Sequence, residues 1–254
     1  MSFRRRVQAG ETLLGTFINL GSPIAVELCG RAGYDWMILD LEHGALTEAN
    51  LLGMLHAAAS TPATAVVRVE EGTRLRIGRA LDFGAPSLMV PRVESAAEAE
   101  RMVSYVRYPP TGVRGVALPT RGARFGDLTH ADVADAHSDT CLFIQIEGRG
   151  ALEEADAIAA IDGVDVLFVG PTDLSHALGV PGKIDAPVYT DAVEHVARAA
   201  AQSGKAAGIL LWNFDELERY VEMGYRLIAV GSDGGHVATA ARRLAEDFRL
   251  RVQK

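Results

Sequence analysis

The stretch Leu39–Gly44, LDLEHG, sets Asp40, Glu42 and His43 within four residues at the end of a run, YDWMILDL, that otherwise reads as buried strand. Imidazole titrates near neutrality, so a histidine at a strand end beside carboxylates is suited to taking a proton from a hydroxyl or a carbon acid. The other histidines, His56, His130, His137, His176, His195 and His236, fall mostly in helical or loop stretches and read as structural. Arg68 interrupts the apolar run AVVRV. A permanent cation there would stabilise a developing oxyanion, or pair with Asp40 or Glu42, and the two roles are compatible.

Two further carboxylates follow later strand-like runs, Glu147 after CLFIQ with Gln145 two residues before it, and Asp173 in GPTDLS. On consecutive strands they would stand close enough to share one ion, and an all-oxygen donor set suits a hard cation such as Mg²⁺ or Mn²⁺, completed by water and substrate. The alternative is that Glu147 caps the following helix and Asp173 caps the turn after it. GPTDLS opens a short helix whose free N–H groups would suit a carboxylate or phosphate. GSDGGH, 231–236, lies where barrels often bind phosphate, though Ser232 or Asp233 capping the last helix explains it equally well. The only lysines are Lys183, Lys205 and Lys254, none within a strand, which argues against Schiff-base chemistry. No Walker loop or dinucleotide fingerprint follows a strand.

Eight short apolar runs are positioned to carry these groups: 12–20, 36–41, 63–69, 87–93, 141–147, 165–170, 206–211 and 227–232. Between them lie amphipathic, Ala-rich stretches, including EANLLGMLHAAAS, AAEAERMVSYVRY, ALEEADAIAAI, DAVEHVARAAAQSG and FDELERYVEMG, with HVATAARRLAEDFRLRV last. Eight strands alternating with helices predict an α/β fold, a (β/α)₈ TIM barrel spanning 1–254 as one domain. A doubly wound open sheet is the rival, because periodicity does not show closure. In a barrel, functional groups gather at the C-terminal strand ends, which is where Asp40, His43, Arg68, Gln145, Glu147 and Asp173 fall. Leu210 and Leu211, in LLWNF, bring apolar bulk to the end of the seventh strand, as a wall for substrate or as ordinary packing. The segment Tyr108 to Gly126, rich in Gly, Pro and Arg, reads as a binding loop.

The chain has 254 residues, 48% of them hydrophobic, with a formal charge of −8. That balance disfavours nucleic-acid binding, which needs a basic surface. No apolar run is long enough to span a membrane and the basic opening lacks a signal peptide's apolar core, so a cytoplasmic location is expected. Cys29 and Cys141 read as core thiols.

The motifs LDLEHG, VRV, LDFGAPSLMVPRV, YPPTGVRG, QIEGRGAL and VGPTDLSHALG, in this order, resemble the HpcH/HpaI class II aldolases over nearly the whole chain. The resemblance implies a metal-dependent aldolase that cleaves 4-hydroxy-2-oxoacids to pyruvate, or a substituted pyruvate such as hydroxypyruvate, and an aldehyde. It implies a divalent cation, Mg²⁺, Mn²⁺ or Co²⁺, on Glu147 and Asp173, with Gln145, Thr172 and Asp173 at the substrate. By the same resemblance His43 is the base, Arg68 steadies the enolate, and Asp82 in LDFGAP raises the basicity of the histidine, with Asp40 a second candidate for orienting its ring. A homohexamer, a trimer of dimers with the last helix exchanged between subunits, is also implied. The loop RGVALPTR departs from relatives that carry further glycine or aromatic residues there, and Thr172 stands where alanine is common, which leaves substrate preference open. A related acyl-CoA lyase, with Arg114, Arg121 and Arg124 for the CoA phosphates, and a non-catalytic 2-oxoacid-binding barrel are the alternatives.

Overall fold

A computed structural model of the protein describes residues 1–133 and 139–252; His137 and Lys254, both weighed above, lie outside the described residues. The strands are β1 (Leu13–Ile18), β2 (Trp36–Asp40), β3 (Thr64–Arg68), β4 (Ser87–Val90), β5 (Cys141–Ile146), β6 (Val166–Val169), β7 (Ala206–Leu211) and β8 (Tyr225–Ser232). Each falls on one of the eight apolar runs. All pair in parallel and in chain order, and Leu13 of β1 pairs with Leu227 of β8. The sheet therefore closes into a barrel, which sets aside the open doubly wound sheet. β4 stops at Val90 rather than continuing to Val93, because Pro91 has no N–H for the ladder and Arg92 turns to a φ of +54°.

The helices are α1 (Phe3–Gln8), α2 (Pro23–Arg31), α3 (Glu48–Ala59), α4 (Arg74–Asp82), α5 (Ala96–Val106), α6 (His130–Val133), α7 (Arg149–Glu153), α8 (Ala155–Ala160), α9 (Pro171–Ala177), α10 (Pro187–Gln202), α11 (Leu217–Met223) and α12 (Asp233–Val252). α2 and α4 arise from stretches that the sequence reading leaves unassigned. Their start signals are nonetheless local: the Ser22 and Thr73 hydroxyls accept from the N–H groups of Ala25 and Arg76. α1 is also unforeseen, since FRRRVQ has little apolar periodicity.

Two apolar layers result from the alternation of side chains along each strand. Outward residues such as Met37, Leu39, Leu142, Ile144 and Ile209 pack under the helices. Inward residues, among them Leu13, Phe17, Trp36, Phe143 and Phe168, fill the barrel. Gly15 leaves the space that Trp36 occupies, since a Cβ there would fall 2.3 Å from the indole. Trp36 in turn lies 5.6 Å from the Phe143 ring and edge-on to Phe168 at 6.1 Å.

α1 closes the floor of this aromatic column. Phe3 stacks on Phe143 with ring centroids 6.3 Å apart, and Val7 is buried beside it. Arg4 Nε donates to Asp165 at 2.8 Å, and Arg6 Nη2 to Asp35 at 2.8 Å. Each of these aspartates also accepts a strand N–H, from Leu142 and Leu14 respectively. Truncating an aromatic plug costs about 3 kcal/mol, so Phe3→Ala is expected to lower the urea midpoint clearly. An unchanged midpoint would show that the barrel floor closes without α1.

Candidate active site

The inward register that fills the barrel continues into polar residues at its C-terminal rim. Along β2 the order is Trp36, Ile38, Asp40; along β3, Val66, Arg68; and along β5, Cys141, Phe143, Gln145. Asp40 and Arg68 are directly opposed in the β2–β3 register. Arg68 Nε donates to Asp40 Oδ1 at 2.8 Å and Nη2 to Oδ2 at 2.6 Å, a two-pronged pair with the carboxylate fully buried. Asn19 Nδ2 donates to the same carboxylate at 2.7 Å, and the backbone N–H groups of Glu42 and His43 complete it at 3.0 and 3.2 Å. Burial raises the Asp40 pKa, but Arg68 and these N–H groups outweigh it and hold the carboxyl below its usual range.

Arg68 is thereby fixed. Its Nη1 lies 3.1 Å from Glu42 Oε2, and its Cζ is 5.1 Å from the Phe17 ring centroid. Of the five N–H donors of a guanidinium, two are bonded to Asp40 and Nη1 stands beside Glu42, while Arg68 also helps to line a cavity. The ion pair with Asp40 is thus present, and Arg68 also borders the cavity.

That cavity, of about 520 Å³, opens among Asn19, His43, Arg68, Gln145, Thr172, Asp173, Leu210, Trp212 and Ser232. His43 is exposed, with Nε2 3.8 Å from Glu42 Oε1. A smaller adjoining cavity of about 230 Å³ is bordered by Glu42, His43, Arg92, Glu147 and Asp173. The two cavities share His43 and Asp173, so the base candidate and one carboxylate serve both.

Glu147 is buried, accepting from the Arg92 N–H at 2.7 Å and from Gln145 Nε2 at 2.6 Å. Gly170 makes this possible, because a Cβ there would stand 2.7 Å from Glu147 Oε2. Glu147 does not cap the following helix, and no side chain caps α9, so the capping alternative for Glu147 and Asp173 fails. The Gln145 Oε1 atom is buried without a partner. Among the described residues no three His, Cys, Asp or Glu side chains form a ready cage for a metal. Two carboxylates with a free amide oxygen nevertheless fit a hard cation that keeps positions for water and substrate. The electrostatics agree. Burial pushes the Glu147 carboxyl up to about 7, opposed by the Arg92 N–H and Arg68 but reinforced by the charges of Glu42 and Asp173. Glu42 is likewise raised, chiefly by burial.

Several residues fall elsewhere. Asp82 ends α4 and so lies toward the N-terminal rim, bonded to Arg114 Nη2 at 3.1 Å; within one chain it does not reach His43. Asp40 holds the His43 backbone, not its ring, which corrects its reading as a ring-orienting group. Leu211 is turned outward into the layer beneath the helices, one residue out of phase with Leu210, and does not line the cavity. Arg114, Arg121 and Arg124 gather beside Thr64 and Ser87, where β3 and β4 begin, far from a place to hold CoA for this cavity. In GSDGGH the capping explanation holds: Ser232 Oγ accepts from Gly235, and Asp233 accepts from the N–H groups of Asn19 and Leu20. Cys141 is buried and Cys29 half-buried, both free.

Asn19, Gly170 and Arg92 complete the site although no motif points to them, while Trp212 belongs to the LLWNF stretch expected to wall it. Asn19 was readable, being two residues beyond inward Phe17. Arg92 was not, since its part depends on a backbone reversal.

A carboxyl whose folded pKa is raised favours the folded state below its ordinary pKa of 4.5, and that advantage is lost as the pH climbs through about 7. Chelator-treated protein should therefore lose on the order of 3 kcal/mol between those limits through Glu147, and Glu147→Gln should flatten that part of the profile. Urea melts across the range will show whether the two profiles differ.

The profile of the HpcH/HpaI aldolase/citrate lyase family matches residues 13–240. The chain is 39% identical to a hydroxypyruvate/pyruvate aldolase of Agrobacterium fabrum, over 97% of this chain and 93% of that protein. It is 37% identical to a 5-keto-4-deoxy-D-glucarate aldolase of Klebsiella pneumoniae, over 97% and 96%. A crystal structure of an HpcH/HpaI aldolase/citrate lyase family protein from Burkholderia cenocepacia superposes with a TM-score of 0.92 at 36% identity, covering 97% of this chain and 98% of that one. Class II aldolases of this kind are generally dependent on a divalent metal. Among the described residues no helix is long and apolar enough to cross a membrane. With a closed parallel barrel, a histidine, an arginine and two carboxylates at one rim, and these relatives along nearly its whole length, the chain belongs to the HpcH/HpaI aldolase/citrate lyase family and is an enzyme of the class II aldolase type.

Proposed function

We propose that the protein cleaves 4-hydroxy-2-oxoacids reversibly to pyruvate, or to a substituted pyruvate such as hydroxypyruvate, and an aldehyde. The observation that carries this reading is the convergence of His43, Arg68, Gln145 and Asp173 on one cavity whose neighbour holds Glu147. Relatives named for hydroxypyruvate/pyruvate and for 5-keto-4-deoxy-D-glucarate support the donor class.

A divalent cation, Mg²⁺, Mn²⁺ or Co²⁺, held by Glu147 and Asp173, supplies positive charge to the 2-oxo oxygen when bound. Gln145 and the backbone at Thr172 orient the acid. His43, exposed at the cavity mouth, removes the 4-hydroxyl proton. The carbon–carbon bond then breaks, its electron pair passing into the enolate of pyruvate as the aldehyde leaves. The Arg68 guanidinium stabilises the oxyanion, and it is pre-aimed because Asp40 and Glu42 fix it. Protonation of the enolate carbon gives pyruvate, and synthesis runs the same steps backwards. Leu210 and Trp212 wall the aldehyde side of the cavity. In this reading 1–254 is one catalytic domain, working in the cytoplasm on small acids.

α12 supports an oligomer. Its Val237, Leu244 and Phe248 share one face and are 62%, 70% and 66% exposed. Ile24 and Leu28 on α2, four residues apart, are 71% and 68% exposed beside β1, on the flank that the closing helix of a barrel ordinarily covers. The proposed arrangement has α12 of one copy covering α2 of another within a trimer of dimers. Light scattering on Leu244→Asp with Phe248→Asp should give a smaller particle than the parent; an unchanged mass would exclude the exchange.

The deciding experiment for the reaction is NMR-detected exchange of pyruvate methyl protons in D₂O with Mn²⁺ and with excess chelator. Exchange that needs the metal, and that falls by about 10²–10⁴-fold in His43→Ala, is the expected result. Binding of pyruvate without exchange would favour a non-catalytic 2-oxoacid-binding barrel instead.

A further inference from the structure

Arg92 is one of three non-glycine residues with positive φ among the described residues, and the other two, Arg124 and Phe125, lie in the long loop away from the cavity. Left-handed backbone outside glycine is uncommon and persists where the surroundings impose it, so the position calls for a cause. β4 pairs with β5 as far as Val90 opposite Ile144, and carried on, that register would set Arg92 opposite Ile146. Pro91 ends the ladder, and at Arg92 the chain reverses. Its N–H then meets not a main-chain carbonyl but Glu147 Oε1, at 2.7 Å. The turn is locked on either side by Pro91 and Val93, both buried, while the guanidinium of Arg92 is exposed beside Glu42, Glu147 and Asp173.

We propose that Arg92 is a positioning residue for the cation site: its left-handed backbone aims one N–H at Glu147 and so sets the orientation in which that carboxylate meets the ion. Glu147 has two hydrogen bonds from the protein, one to each oxygen: Gln145 Nε2 on Oε2 and Arg92 N–H on Oε1. The first comes from a side chain that also faces substrate. The second comes from the main chain, in a turn held between buried Pro91 and Val93, and outer partners of metal ligands typically govern metal affinity by 10–100-fold. This role belongs to the backbone conformation rather than to the charge of the side chain, and the choice of substitution separates the two. Glycine and asparagine tolerate positive φ, whereas a β-branched residue strongly disfavours it.

The inference rests on reading Glu147 as a cation ligand, and the two are tested apart. Mn²⁺ affinity of the full-length protein is measured by electron paramagnetic resonance for R92G, R92N, R92V and E147Q, with circular dichroism and thermal melts as the folding control. The expected result is that R92G and R92N stay within about threefold of the parent, while R92V weakens Mn²⁺ by 10-fold or more and regains methyl-proton exchange at saturating Mn²⁺. R92A, which meets a smaller penalty at positive φ, replaces R92V if the valine variant does not fold, and should fall between the two classes. Parent-like affinity in R92V or R92A overturns the proposal, as does a loss in R92G and R92N equal to that in R92V, which would assign the effect to the guanidinium. Parent-like affinity in E147Q would instead overturn the ligand reading itself.

Discussion

A carboxylate and a guanidinium buried together at the ends of adjacent strands set the terms for the rest of this site. Taking Asp40 and Arg68 out of water is costly, and their attraction repays the cost only where the geometry is good and further hydrogen bonds satisfy the carboxylate. That condition reaches far along the chain. It needs the β2–β3 register, which opposes the two residues; Asn19 at the end of β1, for a further donor; and the N–H groups of Glu42 and His43, which wrap the LDLEHG turn around the carboxylate. Asn19 is itself held through its backbone by Asp233, the first residue of α12. A single buried charge pair thus couples three strand ends, the loop carrying His43 and the start of the last helix.

The site contains buried carboxylates with opposite tendencies. Asp40, surrounded by donors, stays below the usual carboxylate range, whereas Glu147, with fewer donors and two acidic neighbours, is raised to about 7. Separation of this kind assigns work: the low group is a scaffold that keeps its charge, and the raised one sits where an added positive charge is most rewarded. Placing both on inward positions of one barrel lets the same fold make a rigid cationic wall and, across it, a receptive anionic one.

Much of this was legible in the sequence because it follows from period-two alternation. Asp40, Arg68 and Gln145 stand at the ends of apolar runs and must share a rim once the strands are parallel. What closes the barrel is long-range pairing of β1 with β8, which no local pattern encodes. The failures have equally local causes. Leu211 was grouped with Leu210 although adjacent strand residues face opposite ways. Asp40 is expected beside the His43 ring, whereas the turn presents the histidine's backbone N–H to it. Arg92 lay beyond reach, because an arginine in an apolar run says nothing about the sign of its φ.

The aromatic plug formed by α1 also constrains the order of assembly. Phe3 packs on Trp36 and Phe143, and Arg4 binds Asp165, 161 positions further along. α1 therefore has no floor to close until β5 and β6 have come together, so an interval precedes its docking. During that interval Phe3 and Val7 are exposed apolar residues on a short, strongly basic segment, and the nascent barrel has an open floor. Non-local contacts of this length are slow to form and leave apolar surface open to association meanwhile. α1 is thus a latch whose contacts exist only once strands from both halves of the barrel are in place.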